Sequence, residues 1–164
     1  MQITTTITAL REQLDNARQA NKTIGMVPTM GNLHQGHLSL VRKAKEHADY
    51  VLVTIFVNPT QFTDNNDLTN YPRTLDEDLT FLDELDVDCV FVPEVEEIYP
   101  DNRSIIAEVT VPELDSIYCG EFRPGHFKGV ATVVTKLFNI AQPDCAVFGE
   151  KDYQQLLVIR SLVE

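Results

Sequence analysis

Apolar residues recur at helical spacing at Leu10, Leu14 and Ala17, which predicts a first helix over residues 8–20. A short apolar run over 23–28 stops at Pro28 and predicts a strand. Leu38, Val41, Ala44 and Ala48 then mark one face of a second helix over 36–48. Residues 50–57 are rich in β-branched side chains without alternation, the pattern of a strand covered on both faces. Leu75, Leu79 and Leu82 predict another helix, and Thr74 followed by Glu77 matches a capping box at its start. Residues 88–92 predict a strand that ends at Pro93. Beyond it the pattern predicts a strand over 104–111, a short helix over 112–119, a long helix over 129–141, a strand over 144–148 and a last helix over 152–163. Strands alternating with helices at these lengths predict an α/β fold, a doubly wound and mainly parallel sheet with flanking helices. No repeat, low-complexity tract or linker interrupts it, so a single domain over 1–164 is expected. Leu156, Leu157, Ile159 and Leu162 make the last helix apolar up to Glu164, with no closing signal.

Composition narrows the partners. The chain has 164 residues, 43% of them hydrophobic, enough for one well-buried domain. Thirteen basic residues against twenty-five acidic ones leave a formal net charge of −12. Such a surface repels nucleic acid and anionic membranes, and a small anionic ligand needs a local positive pocket. Cys89, Cys119 and Cys145 are odd in number and none pairs at a metal-ligand spacing; Cys89 and Cys145 lie in apolar runs, where a reduced cysteine acts as a small hydrophobe. The amino terminus lacks the basic start and apolar core of a signal peptide, and no apolar stretch reaches membrane-spanning length. A cytoplasmic protein is expected.

In open parallel sheets ligands sit beyond the carboxyl ends of the strands. The first such turn contains Pro28, Thr29, Met30, Gly31, Asn32, Leu33, His34, Gln35, Gly36 and His37, and enters the second helix. A helix start offers free N–H groups and partial positive charge, which suits phosphate. His34 and His37 straddle that start, and Gly36 between them lets a flat base or a phosphate approach the backbone. Imidazoles there are placed to donate hydrogen bonds as negative charge develops. The second loop carries Asn58 and Gln61, uncharged amides that both donate and accept, as a ligand with hydroxyl and carboxylate groups requires. Asn58 precedes Pro59 and is also ordinary turn chemistry. The third, Gly149, Glu150, Lys151 and Asp152, repeats the first design with a lysine for phosphate charge, ahead of Gln154 and Gln155. The segment from Arg123 to Gly129 is a basic proline–glycine loop to which spacing alone assigns no chemistry. Asp76, Glu77 and Asp78 are explained by helix capping and dipole compensation, and no metal ligand is assigned to the protein.

Taken in order, the histidine loop, Phe56-Val57-Asn58-Pro59-Thr60-Gln61-Phe62, Tyr71-Pro72-Arg73-Thr74, Arg123-Pro124-Gly125-His126-Phe127 and Phe148-Gly149-Glu150-Lys151-Asp152-Tyr153-Gln154-Gln155 resemble the pantothenate synthetase family, within the histidine-motif nucleotidyltransferases. The resemblance runs from about Ile24 to Glu164 and implies a Rossmann-like fold of the nucleotidyltransferase type. It implies a ligase in which pantoate attacks the α-phosphorus of ATP, and the amine of β-alanine then displaces AMP from the pantoyl-adenylate. ATP would be bound by Met30, Gly31, Asn32, Leu33, His34, Gln35, Gly36 and His37 with Gly149, Glu150, Lys151 and Asp152. His34, His37 and Lys151 would stabilise the transferring phosphate, with His37 the proton donor. Gln61 and Gln155 would hold pantoate, Gln61 also lying near β-alanine, with Asn58 supporting them. Mg2+ would arrive with ATP, and the family's members are cytoplasmic homodimers. The chain departs from the pattern at Tyr118-Cys119-Gly120, where an acid is expected before the glycine. The family's downstream serine- and arginine-containing ATP loop and small lid domain do not occur in these residues, so an N-terminal nucleotide-binding domain is expected. The residues taken without the resemblance also admit a nucleotidyltransferase of another substrate, or a non-catalytic nucleotide-binding module. The former calls for basic side chains where Gln61 and Gln155 stand.

Overall fold

The structure, a computed structural model, describes residues 1–100 and 107–164. Its centre is a five-stranded sheet of β1 (Gln2–Thr4), β2 (Ile24–Thr29), β3 (Tyr50–Ile55), β4 (Cys89–Phe91) and β5 (Cys145–Ala146). The order is β1-β4-β3-β2-β5 and every pairing is parallel. Parallel neighbours need crossovers, and helices supply them: α1 (Ile7–Gln19), α2 (Gln35–His47), α3 (Asn65–Thr69) and α4 (Leu75–Glu84) before β4; α5 (Val95–Ile98), α6 (Pro112–Asp115), α7 (Cys119–Phe122) and α8 (His126–Ala141) before β5; then α9 (Tyr153–Val163).

The alternation of strand side chains divides the core in two. Ile24, Met26, Leu52, Cys89 and Phe91 pack on one face against Leu10, Leu14 and Ala17 of α1, Val130, Val134 and Leu137 of α8, and Ile159 of α9. Val27, Val51, Val53, Ile55 and Val90 pack on the other against Val41 and Ala44 of α2 and Leu82 of α4. Strands buried on both sides must be apolar at consecutive positions, hence the missing alternation in β3, all six of whose residues are buried. Aspartates close the amino ends of the strands. Asp88 Oδ2 accepts from Val51 N at 2.8 Å, Asp144 Oδ2 from Ile24 N at 2.7 Å, and Asp49 Oδ2 from Thr23 N at 3.1 Å.

The predicted elements appear within a few residues of their places, with these differences. The strand expected over 104–111 has residues 104–106 outside the described set, and 107–111 is irregular, its Val109 N–H donating to Thr132 Oγ1 of α8. The helix expected over 112–119 is two short helices, α6 and α7. The strand expected over 144–148 pairs only at Cys145 and Ala146. The capping box at Thr74 does not form: Thr74 makes no cap hydrogen bond, and its hydroxyl donates instead to Asp78 Oδ1 at 3.2 Å. The Thr74 backbone, at ψ 44°, lies outside the extended conformation that aims an N-cap oxygen at the free N–H groups of the first turn. β1, α3 and α5 are too short to leave a periodic signal.

Candidate active site

After β2 the chain moves one way through the sheet to β3 and β4, whereas β5 lies on the other side of β2. The switch point, where a crevice opens at the carboxyl edge, is therefore at β2. The loop after β2 is the histidine loop, and the loop after its neighbour β5 carries Gly149 to Asp152.

The histidine loop turns through positive φ at Gly31 (79°) and Asn32 (52°). Gly31 N–H donates to Thr29 Oγ1 at 3.2 Å, and Thr29 Oγ1 donates to Thr54 O at 2.8 Å. Met30 is half-buried, Leu33 is buried with Val41 and Ile55, and Asn32, Gln35 and Gly36 are exposed. Leu33 thus offers a ligand only its carbonyl, its N–H being bound to Asp78. His34 is the N-cap of α2, its Nδ1 accepting from Gly36 N at 3.0 Å. A Cβ at residue 36 would lie 2.8 Å from His34 Cε1, so a side chain there would displace the His34 ring from its cap position. The His34 and His37 rings lie 4.3 Å apart between centroids at 40°. His37 Nδ1 is buried without a hydrogen-bond partner. Burial pushes the His37 imidazole below its ordinary value, and neighbouring His34 adds to this; Asp78 opposes it, Lys151 reinforces it and Asp152 opposes it. Lys151 and Asp152 are both exposed, and because β5 pairs in parallel with β2 the loops that follow these two strands leave the same edge of the sheet. Gly149 is half-buried near Leu40, and Glu150 lines a groove of about 420 Å³ with Lys43, His47 and Arg160.

The amide loop is a 3-10 turn, Pro59–Gln61, with Asn58 as its N-cap. Asn58 is only 1% exposed. Its Nδ2 donates to Gln61 Oε1 at 3.1 Å and Gly129 O at 3.2 Å; its Oδ1 accepts from the hydroxyls of Thr60 and Tyr99, each at 2.9 Å. Asn58 is turned inward, and what it holds is Gln61. Gln61 is buried, and no partner for its Nε2 is found among the described residues. Gln155 is half-buried on α9, and no hydrogen bond joins it to Gln61 among the described residues. Its neighbour Gln154 is structural, donating to Leu114 O and Ile117 O at 2.8 Å and accepting from Cys119 N at 3.0 Å.

Two parts of this arrangement were not legible in the motifs. The segment from Arg123 to Gly129 is the seat of the amide loop. His126 Nδ1 lies 2.8 Å from Gln61 O, an atom that only accepts, so Nδ1 carries the proton and Nε2 accepts from Arg123 at 3.3 Å. Burial lowers the His126 imidazole as well, partly offset by this bond to Gln61. Asp152 opposes the lowering of both His126 and His37. The second part is Asp78, which lies in the first turn of α4 yet is 1% exposed and points at the histidine loop. Asn32 N donates to its Oδ2 at 2.9 Å and Leu33 N to its Oδ1 at 2.8 Å. Its spacing after Leu75, among apolar positions, was the available signal.

The sequence profile described as Pantoate-beta-alanine ligase matches residues 2–164. Pantothenate synthetase of Vibrio vulnificus YJ016 is 57% identical over 162 residues, 99% of this chain and 54% of that protein. That of Marinobacter nauticus is 61% identical over 153 residues, 93% of the chain and 54% of that protein. The crystal structure of pantothenate synthetase from Thermus thermophilus superimposes with a TM-score of 0.90 at 47% identity, over 99% of this chain and 57% of that one. The Francisella tularensis pantoate-beta-alanine ligase, crystallised with beta-gamma ATP and beta-alanine, gives 0.89 at 45% identity, over 99% and 62%. The chain thus spans little more than half the length of these relatives. With a matching profile from one end to the other, the same sheet, and the histidine loop at its switch point, the chain belongs to the pantoate–β-alanine ligase family.

Proposed function

We propose that this chain is the ATP- and pantoate-binding part of a ligase that condenses pantoate with β-alanine. What supports the reading is the histidine loop at the sheet's switch point, with Lys151 on the loop after the neighbouring strand β5 and Gln61 held on the loop after β3. A pantoate carboxylate oxygen attacks the α-phosphorus of ATP; the bond to the bridging oxygen breaks and pyrophosphate leaves. The β-alanine amine then attacks the acyl carbon, loses a proton and expels AMP. His37 donates to the phosphate as charge builds, with His34 and Lys151 adding positive charge or donors. Met30 to His37 and Gly149 to Asp152 contact ATP; Gln61 Nε2, without a partner among the described residues, and Gln155 take pantoate.

Mg2+ is proposed to enter on the phosphate oxygens, where it supplies charge neutralisation. Among the described residues no three His, Cys, Asp or Glu side chains are grouped to hold a metal ion, and both Asp78 oxygens accept from backbone N–H groups. Association of two copies is proposed from the resemblance. No helix of the described residues is long and apolar enough to cross a membrane. A cytoplasmic location is proposed from the resemblance. The rival reading, transfer of a nucleotide to a phosphorylated acceptor, is disfavoured by the uncharged Gln61 and Gln155.

Isothermal titration with ATP and pantoate, separately and together, tests the proposal. Pantoate is expected to bind and to be weakened by Gln61→Ala more than ATP is. ATP binding with no response to pantoate at any concentration would remove the ligase reading.

A further inference from the structure

Among the described residues no hydrogen-bond partner orients the His37 ring. Its Nδ1 is buried without a hydrogen bond, so the ring direction is set by the backbone that delivers it to α2. That backbone passes through Asn32 at φ 52°, a conformation an L-residue adopts only at some cost. Two successive N–H groups, of Asn32 and Leu33, point sideways there and find the two oxygens of Asp78 at 2.9 and 2.8 Å. Among the described residues Asp78 is the only carboxylate that is buried. Withdrawing an ionised carboxylate from water is costly unless its lone pairs are occupied. The loop N–H groups and the Thr74 hydroxyl, at 3.2 Å, occupy them. The pairing is specific to a carboxylate, because an amide in its place would turn an NH2 donor towards one of the two N–H donors.

We infer that Asp78 is a positioning residue for the histidine loop: its carboxylate holds the backbone of Asn32 and Leu33 in register, and so aims His34 and His37 at the phosphate of the bound nucleotide. The inference rests on the loop being the ATP site, as proposed above. Asp78 acts through the loop backbone and, by its negative charge, on the His37 ring that the loop carries. The charged and titratable groups facing His37 are His34, Asp78, Lys151 and Asp152.

The test uses the 15N-labelled chain with Asp78→Asn, and Thr74→Val as a milder variant that keeps the carboxylate and removes one of its donors. In Asp78→Asn, amide-exchange protection at Asn32 and Leu33 is expected to fall at least tenfold while the β3 amides keep theirs. The His37 ring is expected to titrate at lower pH, since a nearby negative charge is gone. Thr74→Val is expected to shift the same signals in part, which keeps the test open if Asp78→Asn folds poorly. In the complete ligase, Asp78→Asn is expected to lower the rate of adenylate formation at least tenfold with the KM for ATP changed less than threefold. Unchanged exchange and titration at these residues, with a loss of thermal stability only, would overturn the inference. Loop signals that move while adenylate formation does not would uphold Asp78 as the anchor of the loop and count against the ATP reading instead.

Discussion

His37 and His126 share an electrostatic condition with different consequences. Burial makes both prefer the neutral form, lowering them from the ordinary value of 6.5. A neutral His126 is needed structurally, since its Nε2 must accept from Arg123 while Nδ1–H donates to Gln61 O. A neutral His37 would keep its own Nδ1 unpaired until a ligand arrives, and bound phosphate would then favour its protonation. Because the folded state binds fewer protons than the unfolded chain below pH 6.5, stability is fully present above that pH and is lost as the pH falls through the lowered folded values. Thermal midpoints are therefore expected to drop between pH 7 and 5.5. The double variant His37→Gln, His126→Asn should flatten the slope, with the Asn amide replacing the Nδ1–H. Burial raises the Asp115 carboxyl and acts with the opposite sign, so the slope of the variant relative to the parent is the measurement. For catalysis, His37→Ala in the complete ligase is expected to slow single-turnover adenylate formation by ~10²-fold or more, as removal of a transition-state donor does, while ATP affinity changes a few-fold. An unchanged rate would remove His37 from the chemistry.

At the scale of elements, the site depends on how closely α8 approaches the Asn58–Gln61 turn. A Cβ at residue 129 would lie 2.5 Å from Thr60 O and 2.7 Å from Gln61 Cα, both backbone atoms that cannot swing aside. Gly129 also supplies the carbonyl that receives Asn58 Nδ2. Gly129→Ala is accordingly expected to destabilise by about 1–3 kcal/mol through overpacking, measured by urea denaturation. It should also weaken pantoate binding by displacing Gln61, whereas Gly149→Ala, with its nearest neighbour Leu40 Cδ1 at 3.9 Å, should leave stability nearly unchanged. Equal stabilities for the two variants would show that α8 has room to move. The same contact explains why Arg123 to Gly129 carried no readable chemistry: its work is to seat another loop, and seats are defined by distance.

Across the whole molecule, the two edges of the sheet use charge differently. Asp49, Asp88 and Asp144 bind backbone N–H groups at the amino edge, while the carboxyl edge sets Lys151, Arg123 and the imidazoles of His34 and His37 beside Asp78 and Asp152. A chain of net charge −12 can in this way present a local site for an anion. Because both apolar clusters share the same strands, the sheet cannot lose one helical layer and keep the other. The chain is expected to unfold as one cooperative unit. Tyrosine fluorescence and far-ultraviolet circular dichroism should give coincident transitions in urea. Two separated transitions would divide the α8–α9 cluster of Phe127, Ala131 and Val158 from the sheet and contradict a single domain.

The sequence by itself determined the elements that bury a periodic face, and the loops that follow them. Leu10, Leu14 and Ala17 repeat at the helical period, and β3 is apolar throughout because two layers cover it, so both are visible in local order. The histidine loop was likewise legible, since its residues lie next to one another and next to a helix start. Tertiary structure alone decided which distant residues hold those loops. Asp78 stands more than forty residues from Asn32, and His126 sixty-five from Gln61. Hydrogen bonds across such separations depend on how strands and helices pack, and no spacing along the chain encodes them. For the same reason Asp78 reads in sequence as one of three acids at a helix start, and only in the fold as the anion that the loop's own N–H groups require.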